Sequence, residues 1–393
     1  MATFKGFSSC VIIMLCLGLA ACGNLSTTGL DDHDLAILKT MPEETLQEKV
    51  DTLIKPMVDT GHTPGVIVGV LLPDKTMHFF GYGVADQTSG LKPDADTLFA
   101  VGSLSKGFLA GITAALVNDG TFSWNETLNT LLPPNTPLSA DAEKITLLQL
   151  ATHTSGLPRQ PVTPRTLLYF IEYFFDGENF YRHFDTAYIL DYLADFSSST
   201  QGQPVYSNVG YGLLGYILEQ RTGLSIDELL HQKIVKPLGL KCTGYDPEVL
   251  PCYTERAHGY AGDEPKFIPR GDPTPEWEFT HFLRGSAALH SNARDLLRFA
   301  AAHIGDPKSR LNAALASNMN IIYPRAKEAA ARAWVVDDID GEPITYQIGI
   351  VAGYTSYLGI DSKHKTAVVI MQNSFNWDNT AGHKLLLYLR YHS

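Results

Sequence analysis

Strand-like runs stand at both ends of the chain with a long helical stretch between them, a pattern that suggests one sheet assembled from the two termini. Near the start, Pro64-Gly65 opens the apolar run Val66 to Leu72, and Asp74-Lys75 reads as a turn into Met77 to Val84. Near the end, Tyr346 to Ile350, Thr355 to Ile360 and Thr366 to Met371 are three more such runs. Leu46, Val50, Leu53 and Met57 follow helical spacing, with Pro56 expected to kink that helix. A final helix over Ala381 to Tyr391 sets Leu385, Leu386 and Leu389 on one face, ready to cover a sheet. The fold class is therefore α/β, with a mainly helical lobe of about residues 101–284 inserted into the sheet-bearing part. There is no internal repeat or low-complexity tract.

Ser103-Leu104-Ser105-Lys106 is the stretch that carries chemistry. Positions i and i+3 share a helix face, so the Lys106 amine can lie against the Ser103 hydroxyl and act as its base once burial lowers its pKa. Leu98 to Gly102 leads in, and Gly107 to Leu116 reads as a buried helix. Ser103 would then stand at a helix start, where free backbone N–H groups face developing negative charge. Alone, a Ser-x-x-Lys spacing also occurs on many solvated helices.

The 393 residues are 45% hydrophobic and 18% charged, which argues against disorder and against a membrane bundle. The formal charge of −12 becomes −13 without residues 1–21, whose only charge is Lys5. An acidic chain with no basic run is a poor nucleic-acid partner. Lys5, the apolar run Val11 to Ala21 and the approach Leu19-Ala20-Ala21-Cys22 form a signal segment over residues 1–21. Leu-Ala-Ala-Cys resembles the bacterial lipobox, which makes Cys22 the lipidated first residue and residues 22–40 a polar tether; ordinary signal cleavage is the alternative. Gly23 after the cysteine favours the outer membrane of the cell envelope, facing the periplasm. Of the five cysteines, Cys10 and Cys16 leave with the signal. Cys242 and Cys252, ten apart in an exported chain, either form a disulfide or remain two buried thiols. No Cys-x-x-Cys or His-Glu-x-x-His is present, so neither a metal nor a cofactor is expected.

Tyr206-Ser207-Asn208 adds a phenol able to act in proton transfer and an amide able to hold a substrate carbonyl or the lysine. With Ile145 to Pro158, which contains His153-Thr154-Ser155-Gly156, and with Ser291 to Phe299, the chain resembles the class C β-lactamase and D,D-peptidase family of serine hydrolases over roughly Leu46 to Tyr391. The resemblance implies a β-lactamase/transpeptidase-like fold, an antiparallel sheet flanked by helices forming one catalytic domain over residues 41–393, and a structural His153. It also implies acyl transfer: Ser103 attacks, Lys106 and Tyr206 relay the proton, and Asn208 positions the substrate. The backbone N–H groups of Ser103 and Ile350 would form the oxyanion hole.

One motif departs from that pattern. Counting back from Gly353-Tyr354-Thr355-Ser356, the family's Lys-Thr-Gly falls on Gln347-Ile348-Gly349. Gly349 still admits close backbone approach, but Gln347 replaces a cation with a neutral amide, which affects recognition of a substrate carboxylate. Asn373 either lies near that carboxylate or caps a strand end. The expected substrate is a D-Ala peptide of peptidoglycan or a β-lactam. An esterase or amidase on the same scaffold is the alternative, and a non-catalytic wall-binding lipoprotein a third. No Gly-x-Ser-x-Gly occurs, which disfavours an α/β-hydrolase.

Overall fold

The computed structural model describes residue 30 and residues 32–176, 179–325, 328–376 and 380–392. The signal segment and Cys22 lie outside the described residues. No described helix is long and apolar enough to cross a membrane.

Seven strands form one antiparallel sheet: β1 (Gly65–Leu71), β2 (Met77–Gly83), β5 (Ala329–Ala330), β6 (Val335–Ile339), β7 (Glu342–Val351), β8 (Tyr354–Asp361) and β9 (Thr366–Gln372). Their order is β2-β1-β9-β8-β7-β6-β5, and a separate pair joins β3 (Phe99–Ala100) to β4 (His290–Ser291). N-terminal β1 pairs directly with C-terminal β9, in the register Val66↔Gln372 to Leu71↔Ala367. Both termini thus build one sheet, as expected from the sequence.

Every residue of β1 is buried, because both faces of the sheet are covered. Val66, Val68 and Val70 pack on one face with Val50 and Ile54 of helix α1 (Leu46–Asp59). Ile67 and Leu71 face the other way, toward the helical side of the molecule. The helix entered through Ser105, α2 (Ser105–Asn118), lies on that side, as do α3 (Asn208–Thr222) and α4 (Ala293–His303). The final helix α5 (Thr380–His392) closes the first face with Leu385, Leu386 and Leu389. Each such side chain taken out of water contributes about 1.5–3 kcal/mol. Helix α1 starts at a Thr45/Glu48 capping box and continues through Pro56 to Asp59 rather than ending there.

Residues 32–40, expected as the end of a polar tether, are instead helical over Asp32–Thr40. Leu38 is buried in the same apolar cluster as Leu385 and Leu389, Lys39 pairs with Asp340 at 2.8 Å, and the Leu38 carbonyl bonds the His392 imidazole at 3.1 Å. Tertiary packing of this small apolar face outweighs its polar composition. Cys242 and Cys252 are joined in a disulfide, with their Cα atoms 5.9 Å apart.

Candidate active site

The turn before α2 is built to present one hydroxyl. Strand β3 delivers the chain to Val101, whose N–H donates to Leu289 O at 2.9 Å and whose carbonyl accepts from Ser356 Oγ at 2.9 Å. A 3-10 turn over Gly102–Leu104 follows, and α2 begins at Ser105. Gly102 has φ +53°, and a Cβ there would come within 2.9 Å of the Ile350 backbone, so only glycine fits. Ser105 Oγ donates to Gly102 O at 2.6 Å and accepts from Leu289 N–H at 3.0 Å, fixing the turn from below. Ser103 is left at its apex, 6% exposed, and Lys106 is fully buried beneath it.

The sequence-predicted trio meets at Ser103 Oγ. Lys106 Nζ lies 3.1 Å from it and donates to the Ser286 carbonyl at 2.8 Å, while Tyr206 OH donates to the same Oγ at 2.6 Å. His153 secures the tyrosine from both sides: its carbonyl accepts Val205 N–H at 2.7 Å, and its Nδ1 accepts Ser207 N–H at 3.1 Å. Its ring lies 4.5 Å from the Tyr206 ring, the structural role expected for it. Asn208, at the start of α3, receives Ser286 Oγ on Oδ1 at 3.3 Å and donates through Nδ2 to Tyr181 OH at 3.0 Å. Ser286 and Tyr181 carry no motif. They reach the site from distant parts of the chain, and sequence reasoning missed both.

Strand β6 pairs with β7 only as far as Val335↔Tyr346, so beyond that point β7 offers an edge that meets the Gly102–Leu104 turn. Gly349 and Ile350 lie on this edge. A Cβ on Gly349 would stand 2.0 Å from Val101 O, so strand and serine turn touch only because that atom is absent. Ile350 is half-exposed, its backbone beside Gly102.

Two expected substrate contacts are corrected. Gln347 is 5% exposed; its Nε2 donates to Ala333 O at 3.0 Å, and its Oε1 faces Gly107, so the amide is folded inward and not toward the cleft. Asn373 is fully buried, receiving Gly65 N–H at 2.7 Å and donating to Val84 O and Ala85 O at 3.1 and 3.0 Å. Both its amide hydrogens and its oxygen are engaged in tying β9 to the N-terminal hairpin, so it acts as a strand-end clamp.

The electrostatics separate the two proton carriers. Burial, and secondarily the Arg159 guanidinium, hold the Lys106 amine well below the usual lysine range. Burial pushes the Tyr206 phenol up to about 12, against a lowering influence of Arg159 and of the bond to Ser103. Burial thus favours the neutral form of both groups, an amine whose lone pair can take a proton and a phenol that keeps its own. Arg159 stacks on the other component of this pair, its Cζ 5.1 Å from the Tyr206 ring centre. It directly follows the Gly156-Leu157-Pro158 stretch, but nothing in its spacing marked it.

A helical lobe inserted into an antiparallel sheet, with a Ser-x-x-Lys turn at their junction, defines the β-lactamase/transpeptidase-like class. Within that class the chain belongs to the Beta-lactamase family, whose profile matches residues 50–390. It is 26% identical over 317 residues to penicillin-binding protein 4 of Amycolatopsis lactamdurans, covering 76% of this chain and 78% of the relative. It is also 26% identical over 366 residues to the unguisins hydrolase ungD' of Aspergillus campestris, covering 88% of this chain and 65% of the relative. The matched stretches span less than two thirds of the length of several of the curated relatives. Among solved structures, a class C β-lactamase from Rhodobacter sphaeroides superposes with a TM-score of 0.73 at 22% identity, over 88% of this chain and 99% of that one, a likeness of fold.

Proposed function

We propose that the protein is a serine hydrolase that works through an acyl-enzyme on D-Ala peptides of peptidoglycan or on β-lactams. The observation that carries this reading is Ser103 Oγ held between Lys106 Nζ at 3.1 Å and Tyr206 OH at 2.6 Å. As Ser103 Oγ bonds to the substrate carbonyl carbon, its proton passes to Lys106. The oxyanion forms beside the Ser103 and Ile350 backbone. The bond to the leaving group then breaks as Tyr206 supplies that group with a proton, and the Lys106 ammonium passes its proton back to the phenolate. Water, activated by the same pair, releases the acyl group and restores the serine.

Family membership supports the reading, as do relatives named penicillin-binding protein, β-lactamase and D-alanyl-D-alanine-carboxypeptidase/endopeptidase. An esterase or amidase acting on substrates without a carboxylate is the second reading, favoured by the neutral, inward-turned Gln347. Mass spectrometry after fluorophosphonate or penicillin treatment is expected to place the adduct on the Ser103 peptide, and Ser103→Ala to abolish it. An adduct on Ser105 or Ser155 would reject the assignment.

We further propose that the protein resides in the bacterial cell envelope, lipid-anchored through Cys22 to the outer membrane. The support is the Leu19-Ala20-Ala21-Cys22 sequence after an apolar run. Cys22→Ser is expected to move the protein from the membrane to the soluble periplasmic fraction, and Cys242→Ser to leave it attached. Membrane association unchanged by Cys22→Ser would remove the anchor.

A further inference from the structure

The reactive serine has a cation near it, although not where the family pattern puts one. Position 347 is an amide whose donor is spent on Ala333 O and whose oxygen faces Gly107. Arg159 lies one tyrosine ring away from the nucleophile, over the face of the phenol whose hydroxyl bonds Ser103 Oγ. Its backbone is fixed by the site itself: the Arg159 carbonyl accepts Asn208 N–H at 3.1 Å, and the preceding Pro158 carbonyl accepts Ser207 Oγ at 2.8 Å. The guanidinium is therefore carried on the loop that also positions Tyr206 and Asn208.

Geometry decides which end of a substrate this cation serves. In the acyl-transfer reading Tyr206 protonates the leaving atom, which puts the leaving group on the Tyr206 side of Ser103 Oγ, the side on which Arg159 is carried. We propose that Arg159 is the specificity-determining residue that receives a carboxylate on the leaving group, in place of a cation at position 347. A guanidinium suits the task, since its planar N–H donors match a carboxylate in a way a flexible ammonium does not. The field of Arg159 also acts on both Lys106 and Tyr206, consistent with a position close to the reacting atoms. The proposal rests on the acyl-transfer reading of Ser103, and it makes leaving groups bearing an acid the preferred class in spite of Gln347.

The test uses two esters of one N-acylglycine, identical except that the leaving phenol carries a 3-carboxylate or a neutral 3-carboxamide. The wild-type protein is expected to show the higher kcat/KM for the carboxylate ester. Charge-assisted hydrogen bonds of this kind correspond to about a ten- to hundredfold effect. Arg159→Gln should lower kcat/KM for the carboxylate ester at least about tenfold more than for the carboxamide ester. Arg159→Lys should recover part of that difference through charge alone. Equal loss on both esters would show that Arg159 only positions Tyr206, and a wild type without charge preference would equally overturn the assignment, in both cases with Ser103 still acylated. If neither ester acylates Ser103, the acyl-transfer reading fails and takes this proposal with it.

Discussion

A lysine amine buried against a serine hydroxyl is worth holding only if the amine can exist without its proton. Burial lowers the Lys106 pKa, so the free amine becomes available as pH rises through a value well under the ordinary lysine value of about 10.4. The rate on a neutral ester is therefore expected to climb with pH and to reach its plateau before pH 10. Lys106→Arg is charged throughout this range and cannot deprotonate, and should lose about 10²–10⁴-fold in kcat/KM without a rising limb. Stability obeys the same sign. The folded pKa is depressed, so the unfolded chain takes up the extra proton below about pH 10.4 and is favoured there. Lys106→Met should accordingly melt higher than the wild type at neutral pH, with the gain vanishing at high pH. A pH–rate profile and melting curves of the two variants check both claims; a Lys106→Arg variant with wild-type rates would end the base assignment. Ser103, Lys106 and Tyr206 were legible in the sequence because their chemistry is local, a helical spacing and a three-residue loop motif. Ser286, Tyr181 and Arg159 were not, because each becomes functional only through the partner that folding brings to it. Gln347 was read on the correct strand edge, but a rotamer directed at Ala333 O cannot be read from spacing.

At the scale of elements, the site is a junction between a strand edge and a turn, and two missing side chains let them touch. Gly349→Ala would set a Cβ 2.0 Å from Val101 O, and backbone on both sides leaves no flexible group to yield. The strand must retreat from the serine turn, which displaces the Ile350 N–H from the oxyanion. A loss of about 10²–10³ in kcat is expected, the range for removing one oxyanion donor. Gly61→Ala is the control, since a Cβ there meets nothing within 4 Å although its φ of +71° is positive. Steady-state kinetics on an ester, with a melting curve for each variant, separates the two; an unimpaired Gly349→Ala enzyme would mean the contact does not set the oxyanion geometry. The long strands were legible because their apolar runs are continuous. Strand β6 was not, since Asp337 and Asp338 interrupt Val335-Val336 and Ile339, and pairing with β7 rather than composition makes it a strand. The helix at Asp32–Thr40 was hidden in the same way, by five polar or charged residues around Leu35 and Leu38, two leucines whose packing depends on the C-terminal helix.

For the whole molecule, the arrangement of strands at both ends around a helical middle was enough to foresee the sheet, because an apolar run buried on both faces has few places to go. The order of strands was beyond reach of the pattern, since any of the C-terminal runs could have met β1. The observed pairing of β1 with β9 joins Val66 to Gln372 across nearly the full length of the chain. During synthesis this has a temporal meaning. The β1–β2 hairpin leaves the ribosome first and must wait, with one flank of β1 bare, until almost the last residues have been made. The serine turn and its helix also precede the strand edge they will meet. A chain wired this way stays unfinished while it is being translated and folds late and slowly once complete. On the proposed envelope location, that delay would leave the chain unfolded while it is threaded through a membrane, and it keeps the serine site incomplete until its strand edge arrives.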